Sequence, residues 1–385
     1  MRVVLGASAL ALCLGFFQVA ITVFLPLEGI SIANLGLLLT TSGLTTVVFS
    51  IPFAVLSDRY GRKTIMATGA FLAAIVSIIP AITMNFSVLE VSAVIIGIGE
   101  AMYLVTWNAY LADSTTEETR PATFSLSFMT LTIASGIGSA IPGLFPFLPV
   151  SLTFAHRILF VAVGLIALLT PISVLRWAVS TKPKRSRAGI LPRKSLGIIA
   201  KFSAANLMIG LGAGLIIPLI PTWFYLRFNA TDVFSGPLIA VSSIVMGIAA
   251  AFSPRISERF GLVKGIVLTQ MLSTAFLITI PFSPTAEIAA PLYIVRTTLM
   301  NMASPLSDSF IMNLIAEDER ATASSFNIVI WSLPNAASTV VGGSLLNEGN
   351  LSLPFYLCAA LYISSIALFY ALFRGTDLNS ETSHT

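Results

Sequence analysis

The segment LSDRYG at 56–61 returns as ISERFG at 256–261, so that an acid, an arginine, an aromatic residue and a glycine recur in the same order. A second pair has the same spacing, because EETRPAT at 117–123 is answered by EDERATA at 317–323. Each copy lies in a short charged gap between long apolar stretches. This repeat predicts two similar halves, each with several membrane spans and both facing the same way.

The composition is that of a membrane protein. The chain of 385 residues is 56% hydrophobic and only 10% charged, and no soluble core could hide that much apolar surface. A membrane-spanning helix needs about 20 mostly apolar residues, whereas β-barrel strands are shorter and alternate in polarity. The sequence therefore predicts an all-α integral membrane protein with twelve spans. These spans are expected at 4–26, 34–56, 64–84, 88–111, 122–144, 157–177, 198–221, 234–255, 264–284, 288–314, 322–345 and 352–373.

The predicted domains follow the repeat. Residues 1–179 form one six-helix bundle and residues 198–374 a second, and the two are related by a pseudo-twofold axis. Residues 180–197 are basic and contain proline and glycine, which is typical of a flexible linker in the cytoplasm. Residues 375–385 are a short polar tail, expected to be disordered and cytoplasmic.

The basic residues predict the orientation. If both termini are cytoplasmic, every lysine and arginine except Arg157, Arg227 and Arg296 falls on or near the cytoplasmic side. We therefore expect a multi-pass protein of the plasma membrane. The net charge of +4 is a signal of topology within the lipid bilayer, and no nucleic-acid partner is predicted.

The loop SDRYGRK at 57–63 resembles a loop of the major facilitator superfamily of secondary transporters. The family pattern is glycine, three spacers, aspartate, arginine, a spacer, glycine, arginine, and arginine or lysine, and here Ala54 replaces the first glycine. The matching residues are Asp58, Arg59, Gly61, Arg62 and Lys63, with a weaker second copy in Glu258, Arg259 and Gly261. The resemblance covers the whole chain and implies alternating access by a monomer that carries a small molecule.

Both loops are expected to gate the cytoplasmic side. Asp58 and Glu258 lie at helix ends, where a carboxylate can meet a facing helix N-terminus or a guanidinium group. Gly61 permits a tight turn, and the resemblance implies that Arg62 pairs with Asp113. The alternative is a solvated loop that only marks the cytoplasmic side. The predicted gate residues are Asp58, Arg59, Gly61, Arg62, Lys63, Asp113, Arg120, Glu258, Arg259, Gly261 and Arg320.

Two ionisable residues within the spans are the main site candidates, because charges in a bilayer are costly. Glu100 lies near the middle of span 4, and its repeat partner is Met300. Arg296 lies one helical turn from Met300 on the same face. The resemblance implies that spans 1, 4, 7 and 10 line the central cavity, so both side chains are expected there.

Several roles remain open for these two residues. A desolvated Glu100 favours its neutral form and could load and release a proton. Glu100 could instead pair with Arg296 as an occluding bridge, or the pair could be purely structural. Arg296 alone could hold an anionic substrate by a bidentate contact.

Weaker candidates surround this pair. Trp107 lies two turns from Glu100 and could stack on a flat or cationic ligand. Asp308 shares a face with Asn301, about 120° from that of Arg296, and could face an inner gate or a neighbouring helix. Prolines near the outer ends of spans 1 and 7 suggest bends. The polar and aromatic candidates are Gln18, Trp107, Asn206, Asn301, Asp308 and Trp331, and the prolines are Pro26, Pro218 and Pro221.

Small residues in span 5, in GIGSAIPG at 136–143, predict close helix packing. Family exporters often carry a glycine- and proline-rich pattern there, which this segment does not match because Ser139 stands in place of proline. The related span 11 contains Gly342 and Gly343. This segment therefore lends the exporter hypothesis only slight support.

Signatures of catalysis are missing from the sequence. The only histidines are His156 and His384, and no zinc, haem or other cofactor site is predicted. No phosphate-binding GxxxxGK[ST] loop and no Ser-His-Asp set is found. We therefore predict a protein that is not an enzyme.

These features predict a secondary active transporter that moves a small solute by alternating access. Proton coupling through Glu100 is favoured, with a slight preference for export of a lipophilic or cationic compound. The alternatives are uptake or exchange of an organic anion through Arg296, an uncoupled facilitator, and a receptor that binds ligand without transport.

Overall fold

A computed structural model describes residues 2–116, 119–178, 195–250, 253–315 and 320–375. The regular structure of these residues is helical. The first half contains α1 (Arg2–Leu27), α2 (Ile32–Tyr60), α3 (Arg62–Val76), α4 (Ile79–Ile82), α5 (Phe86–Asp113), α6 (Arg120–Ala140), α7 (Leu152–Ala167) and α8 (Leu169–Trp177). The second half contains α9 (Leu196–Ile216), α10 (Ile220–Phe228), α11 (Asp232–Ala250), α12 (Ser253–Phe260), α13 (Leu262–Thr279), α14 (Ala286–Leu314), α15 (Arg320–Asn347) and α16 (Leu353–Phe373).

The helices correspond to the twelve predicted spans. Three spans are each built from two successive helices, namely α3 with α4, α7 with α8, and α9 with α10, and the short α12 follows α11 at the end of the eighth span. Among the described residues, eleven stretches are long and apolar enough to cross a membrane. The remaining span is α14, which has 29 residues but carries Arg296 and other polar side chains that lower its hydropathy.

Local signals in the sequence explain where several helices begin and end. Ser31, Asn85 and Ser151 cap the first turns of α2, α5 and α7, because each side-chain oxygen accepts a hydrogen bond from a free backbone N–H. A short 3-10 turn at Ile217–Leu219 separates α9 from α10. This turn contains Pro218, and Pro221 follows it. The helix of span 7 is therefore interrupted at this point, and the expected bend stays a prediction.

The described chain divides into two compact units. The first comprises Met1–Ser186 and Leu219–Ser243, and the second comprises Arg187–Pro218 and Ile244–Thr385. The segment Leu219–Ser243 follows the linker in sequence but packs within the first unit. The predicted domain limits follow the repeat rather than these contacts, and they stay a prediction.

Glycines bring helices into close contact inside each unit. In the first unit, a Cβ atom on Gly138 of α6 would lie 2.0 Å from the carbonyl oxygen of Leu12 in α1. In the second unit, a Cβ atom on Gly342 of α15 would lie 2.0 Å from the carbonyl oxygen of Leu215 in α9. Backbones this close need glycine, so the predicted tight packing of spans 5 and 11 is confirmed.

Two neighbouring glycines of α6 test this packing. We expect Gly138→Ala to lower the free energy of unfolding by about 1–3 kcal/mol, because α1 and α6 must move apart. Gly136→Ala is the matched control, since nothing lies within 4 Å of its added Cβ. Thermal unfolding of the purified variants in detergent measures both effects, and equal melting temperatures for the two variants would contradict the packing argument.

Candidate substrate site

Glu100 lines a cavity of about 290 Å³ inside the first unit. The walls come from α1, α2, α3 and α5, and most of the lining side chains are apolar. The polar exceptions are Gln18 of α1, Ser42 of α2, and Ser92 and Glu100 of α5. Two of the predicted residues, Gln18 and Glu100, therefore share one pocket.

The carboxylate of Glu100 is weakly held. Thr46 Oγ1 lies 3.5 Å from Glu100 Oε2, and the same hydroxyl lies closer to the carbonyl oxygens of Ser42 and Gly97. The ion pairs found among the described residues do not include Glu100. A half-buried carboxyl with one long hydrogen bond is stabilised little in its charged form, which suits a group that gains and loses a proton.

Arg296 lines a different cavity, of about 620 Å³, inside the second unit. Its walls come from α9, α13, α14, α15 and α16. This lining is more polar than that of the first cavity. It includes Asn206, Gln270, Arg296, Asn301, Ser304, Ser307, Trp331, Ser332 and Tyr362.

The guanidinium group of Arg296 is buried, with 3% of the residue exposed. Its Nη2 donates a hydrogen bond of 2.9 Å to the hydroxyl of Tyr362, and its charge lies 5.6 Å from the centre of that ring. Its Nε is buried without a hydrogen-bond partner in the described structure. Such a group can still donate to an acceptor that enters the cavity.

The structure separates the remaining candidates. Asn206, Asn301 and Trp331 line the cavity of Arg296, and the Asn301 amide also donates to the carbonyl oxygen of Thr297. Glu100 and Arg296 each have their hydrogen-bond partners within their own unit. The side chain of Asp308 lies outside the described residues.

Trp107 lies in the packed interior of the first unit rather than in the cavity lining. It is 3% exposed, stacks on Tyr103 with ring centres 5.8 Å apart, and donates from its indole nitrogen to Ser127 in α6. These contacts satisfy both its apolar ring and its N–H group. This position does not support the expected stacking on a ligand, because the indole packs against Tyr103 and Ser127 and does not line the cavity of Glu100.

The loop between α2 and α3 contains the ion pair that the resemblance implied. Arg62 is 8% exposed and pairs through its Nε with Asp113 at the end of α5. Its Nη1 lies 2.9 Å from Asp58, one helical turn earlier, and also donates to Ser57. One guanidinium thus joins the ends of α2, α3 and α5.

The two repeated loops share a backbone conformation. Gly61 has a φ of +96° and Gly261 a φ of +79°, values that disfavour any side chain. Arg59 lies over the ring of Tyr60, and Arg259 lies over the ring of Phe260. The second loop has Leu262 at the position equivalent to Arg62. The side chains of Arg120 and Arg320 lie outside the described residues.

Three further ionisable residues with buried polar atoms were not singled out by the sequence analysis. Glu90 in α5 accepts a hydrogen bond from Thr41, and its other carboxylate oxygen is buried without a partner in the described structure. An acidic residue within an apolar stretch could have identified Glu90, as it identified Glu100. His156 and Asp232 form a buried pair, and no pattern in the sequence connects these two positions.

The sequence matches the model of the Major Facilitator Superfamily over residues 3–339 and 202–384. The chain therefore belongs to the major facilitator superfamily, the family that its loop at 57–63 resembles. It is a multi-pass membrane transporter for small molecules and not an enzyme.

Individual relatives are distant. Quinolone resistance protein NorA of Staphylococcus aureus is 22% identical over 364 residues, which cover 92% of this chain and 91% of the relative. Multidrug resistance protein 1 of Bacillus subtilis is 24% identical over 84% of this chain and 83% of its own length. Inner membrane transport protein YajR of Escherichia coli is 35% identical over 135 residues, 33% of this chain and 29% of that protein.

Solved structures share the fold. A bacterial homologue of the human lysosomal transporter Spinster has a TM-score of 0.77 and 16% identity, with 96% of both chains covered. Nucleoside transporter NupG has a TM-score of 0.77 and 13% identity, covering 97% of this chain and 98% of that one. The D-xylose-proton symporter also scores 0.77, at 12% identity over 96% and 97% of the chains. The predicted class, twelve transmembrane helices in two six-helix bundles, is confirmed.

The two carboxylates around Arg62 differ in exposure, which gives a matched test. We expect Asp113→Asn to lower the free energy of unfolding by about 1–3 kcal/mol, because it leaves a buried guanidinium short of a partner. Asp58→Asn should cost no more than about 1 kcal/mol, since that side chain is 53% exposed against 21% for Asp113. Thermal unfolding of both variants checks the order, and a larger loss for Asp58→Asn would contradict it.

Proposed function

We propose that this transporter is a proton-coupled exporter of lipophilic or cationic compounds that works by alternating access. Its substrate binds in the cavity of the first unit, and Glu100 is the group that exchanges the proton. The single observation that carries the proposal is an apolar pocket whose one acidic side chain lacks a basic partner among the described residues.

The shape and chemistry of this pocket support the choice of substrate. Leucine, isoleucine, valine and phenylalanine side chains offer contact to an apolar molecule of variable outline. Glu100 supplies one negative charge for a cation, and Gln18 can orient a polar group. The names of two relatives, a quinolone resistance protein and a multidrug resistance protein, are consistent with export.

The protonation of Glu100 would couple the two fluxes. A charged carboxylate in an apolar pocket attracts a cation, and a proton on the same carboxyl removes that attraction. Substrate and proton would then compete for one group, which is the requirement for exchange in opposite directions. Thr46 Oγ1, which lies 3.5 Å from Glu100 Oε2, can donate to a charged carboxylate or accept from a neutral carboxyl.

The Arg62 cluster with Asp58 and Asp113, together with the loop of Glu258 and Arg259, would form the gate on the cytoplasmic side. The protein would work as a monomer in the plasma membrane, with both termini in the cytoplasm. Nearly all basic residues then lie on the cytoplasmic side, as the charge distribution favours.

A second candidate is uptake or exchange of an organic anion in the cavity of the second unit. The observation that favours it is the buried Arg296 with an unpartnered Nε in a pocket rich in amide and hydroxyl groups. A carboxylate or phosphate could accept from this guanidinium in a bidentate contact. The Tyr362 hydroxyl already orients one of its nitrogens.

Transport by purified protein in liposomes tests the role of Glu100. We expect an imposed pH gradient to drive a fluorescent lipophilic cation, and Glu100→Gln to reduce this transport at least about tenfold, because an amide cannot exchange a proton. Glu90→Gln is the matched control, as it removes a carboxyl from the same helix outside the cavity lining. Gradient-driven transport that survives in Glu100→Gln would rule out this coupling site.

A thermal-shift screen separates the two substrate classes. A ligand that binds the native state raises the free energy of unfolding by mass action, by about 2.7 kcal/mol at a concentration of 100 times its Kd. The melting temperature rises as a result. We expect lipophilic cations to stabilise the wild type and Arg296→Ala but not Glu100→Gln. Organic anions that stabilise the wild type and the exposed control Arg227→Ala, but not Arg296→Ala, would favour the second candidate.

A further inference from the structure

His156 and Asp232 form a fully buried pair that the proposed transport mechanism does not use. His156 lies in the first turns of α7, and Asp232 is the first residue of α11. Both side chains are 0% exposed, and His156 Nε2 lies 2.6 Å from Asp232 Oδ2. Both residues belong to the first compact unit.

Aromatic rings seal this pair. Phe24 of α1 stacks on the imidazole with ring centres 4.9 Å apart, and Phe145 meets it edge-on at 4.6 Å. The other oxygen of Asp232, Oδ1, is buried without a hydrogen-bond partner in the described structure. The pair is thus held in an apolar environment, where a net charge is unfavourable.

The contact joins parts of the chain that the linker separates. Asp232 belongs to the segment Leu219–Ser243, which packs against helices of the first half. In the same region, Thr222 Oγ1 donates a hydrogen bond of 2.7 Å to the carbonyl oxygen of Thr22. A Cβ atom on Gly236 would lie 2.4 Å from the carbonyl oxygen of Ser139, so this packing leaves no gap. All of these contacts are at the predicted extracellular ends of the helices.

The hydrogen bonds fix the number of protons on the pair. His156 Nδ1 lies 2.8 Å from the carbonyl oxygen of Leu152, which can only accept, so Nδ1 carries a proton. The short contact between Nε2 and Oδ2 needs one more proton, on either the imidazole or the carboxyl. The closed pair therefore holds two protons in total and is neutral overall, as its apolar surroundings require.

Among the described residues, the helices that pack around this pair carry four other titratable or charged side chains near their predicted extracellular ends. Glu28, after α1, and Arg157, next to His156, form their own ion pair of 2.7 Å. Arg227 of α10 is exposed and lies over the ring of Phe228. Tyr225 is the other titratable side chain of α10. Glu28 and Arg157 already neutralise each other, so His156 and Asp232 are the remaining candidates for proton exchange among these groups.

We propose that the contact between His156 and Asp232 is an outer latch that closes with the uptake of one proton and opens with its release. Once the side chains separate in water, the carboxylate is charged, and a hydrated imidazole loses its second proton near pH 6.5. The separated pair then holds one proton rather than two. This inference depends on the proposed alternating access in one respect, because α7 and α11 must separate during the cycle.

The sign of the pH dependence follows from this count. Above about pH 6.5 the closed latch binds one more proton than the open one, so the ratio of open to closed molecules rises about tenfold per pH unit. Between about pH 5 and 6.5 both forms hold two protons, and the ratio is flat. External acid therefore closes the latch, and alkaline conditions open it.

Distance measurements on the full chain test the latch without substrate or gradient. Spin labels at Val150→Cys, just before α7, and Ala230→Cys, just before α11, report their separation in lipid nanodiscs between pH 5 and 9. The native Cys13 and Cys358 are replaced by serine in this background. We expect a longer distance to gain population above about pH 6.5, about tenfold per pH unit in the ratio.

Matched variants decide the outcome. Asp232→Asn keeps the shape of the side chain, but its amide can donate a hydrogen bond to Nε2 of a neutral imidazole. The closed and open forms then hold the same number of protons above about pH 6.5, so the rise in the open population should vanish. The double variant Asp232→Asn with His156→Gln should also lose it, whereas Glu28→Gln, which alters the neighbouring ion pair, should keep it. A rise that persists in both Asp232 variants, or a single distance at every pH in the wild type, would overturn the proposal. Glu100→Gln should keep the rise, so failure of the coupling site and failure of the latch are distinguishable.

Discussion

Hydrocarbon offers a polypeptide no hydrogen bonds, and this constraint governs how the chain folds within the membrane. Backbone groups must be satisfied within each span, which is why the described regular structure is helical. Association of the helices then relies on close backbone contact rather than on the hydrophobic effect. Gly138 against α1 and Gly342 against α9 supply that contact in the two units. The same constraint makes every charge within a span expensive, so each charged side chain that remains marks a site with a role.

The two units use this rule in different ways. The first unit surrounds a carboxyl, Glu100, with apolar side chains, while the second surrounds a guanidinium, Arg296, with amides and hydroxyls. A carboxyl can discard its charge by taking a proton, whereas a guanidinium keeps its charge at any physiological pH. An apolar pocket around Glu100 therefore suits proton exchange, and a polar pocket around Arg296 suits permanent attraction of an anion. This difference in chemistry separates the two proposed classes of substrate.

Ion pairs stabilise both ends of the first unit. On the predicted cytoplasmic side, Arg62 bridges two carboxylates and joins three helix ends. On the predicted extracellular side, His156 and Asp232 are sealed by aromatic rings. The two clusters differ in what protons do to them, because a guanidinium is always charged and an imidazole is not. In the proposed latch, only the second cluster therefore releases a proton when it opens.

The membrane class, the number and approximate limits of the spans, the repeat and the glycine turns can be read from the sequence, because hydropathy and backbone conformation are local properties. The sequence also singled out Glu100 and Arg296, since a charge in an apolar run is visible without a fold. The packing of the helices, in contrast, brings Trp107 to Ser127, Arg296 to Tyr362, and His156 to Asp232. These contacts join positions far apart in the chain, and their geometry depends on how helices pack, which no local pattern encodes.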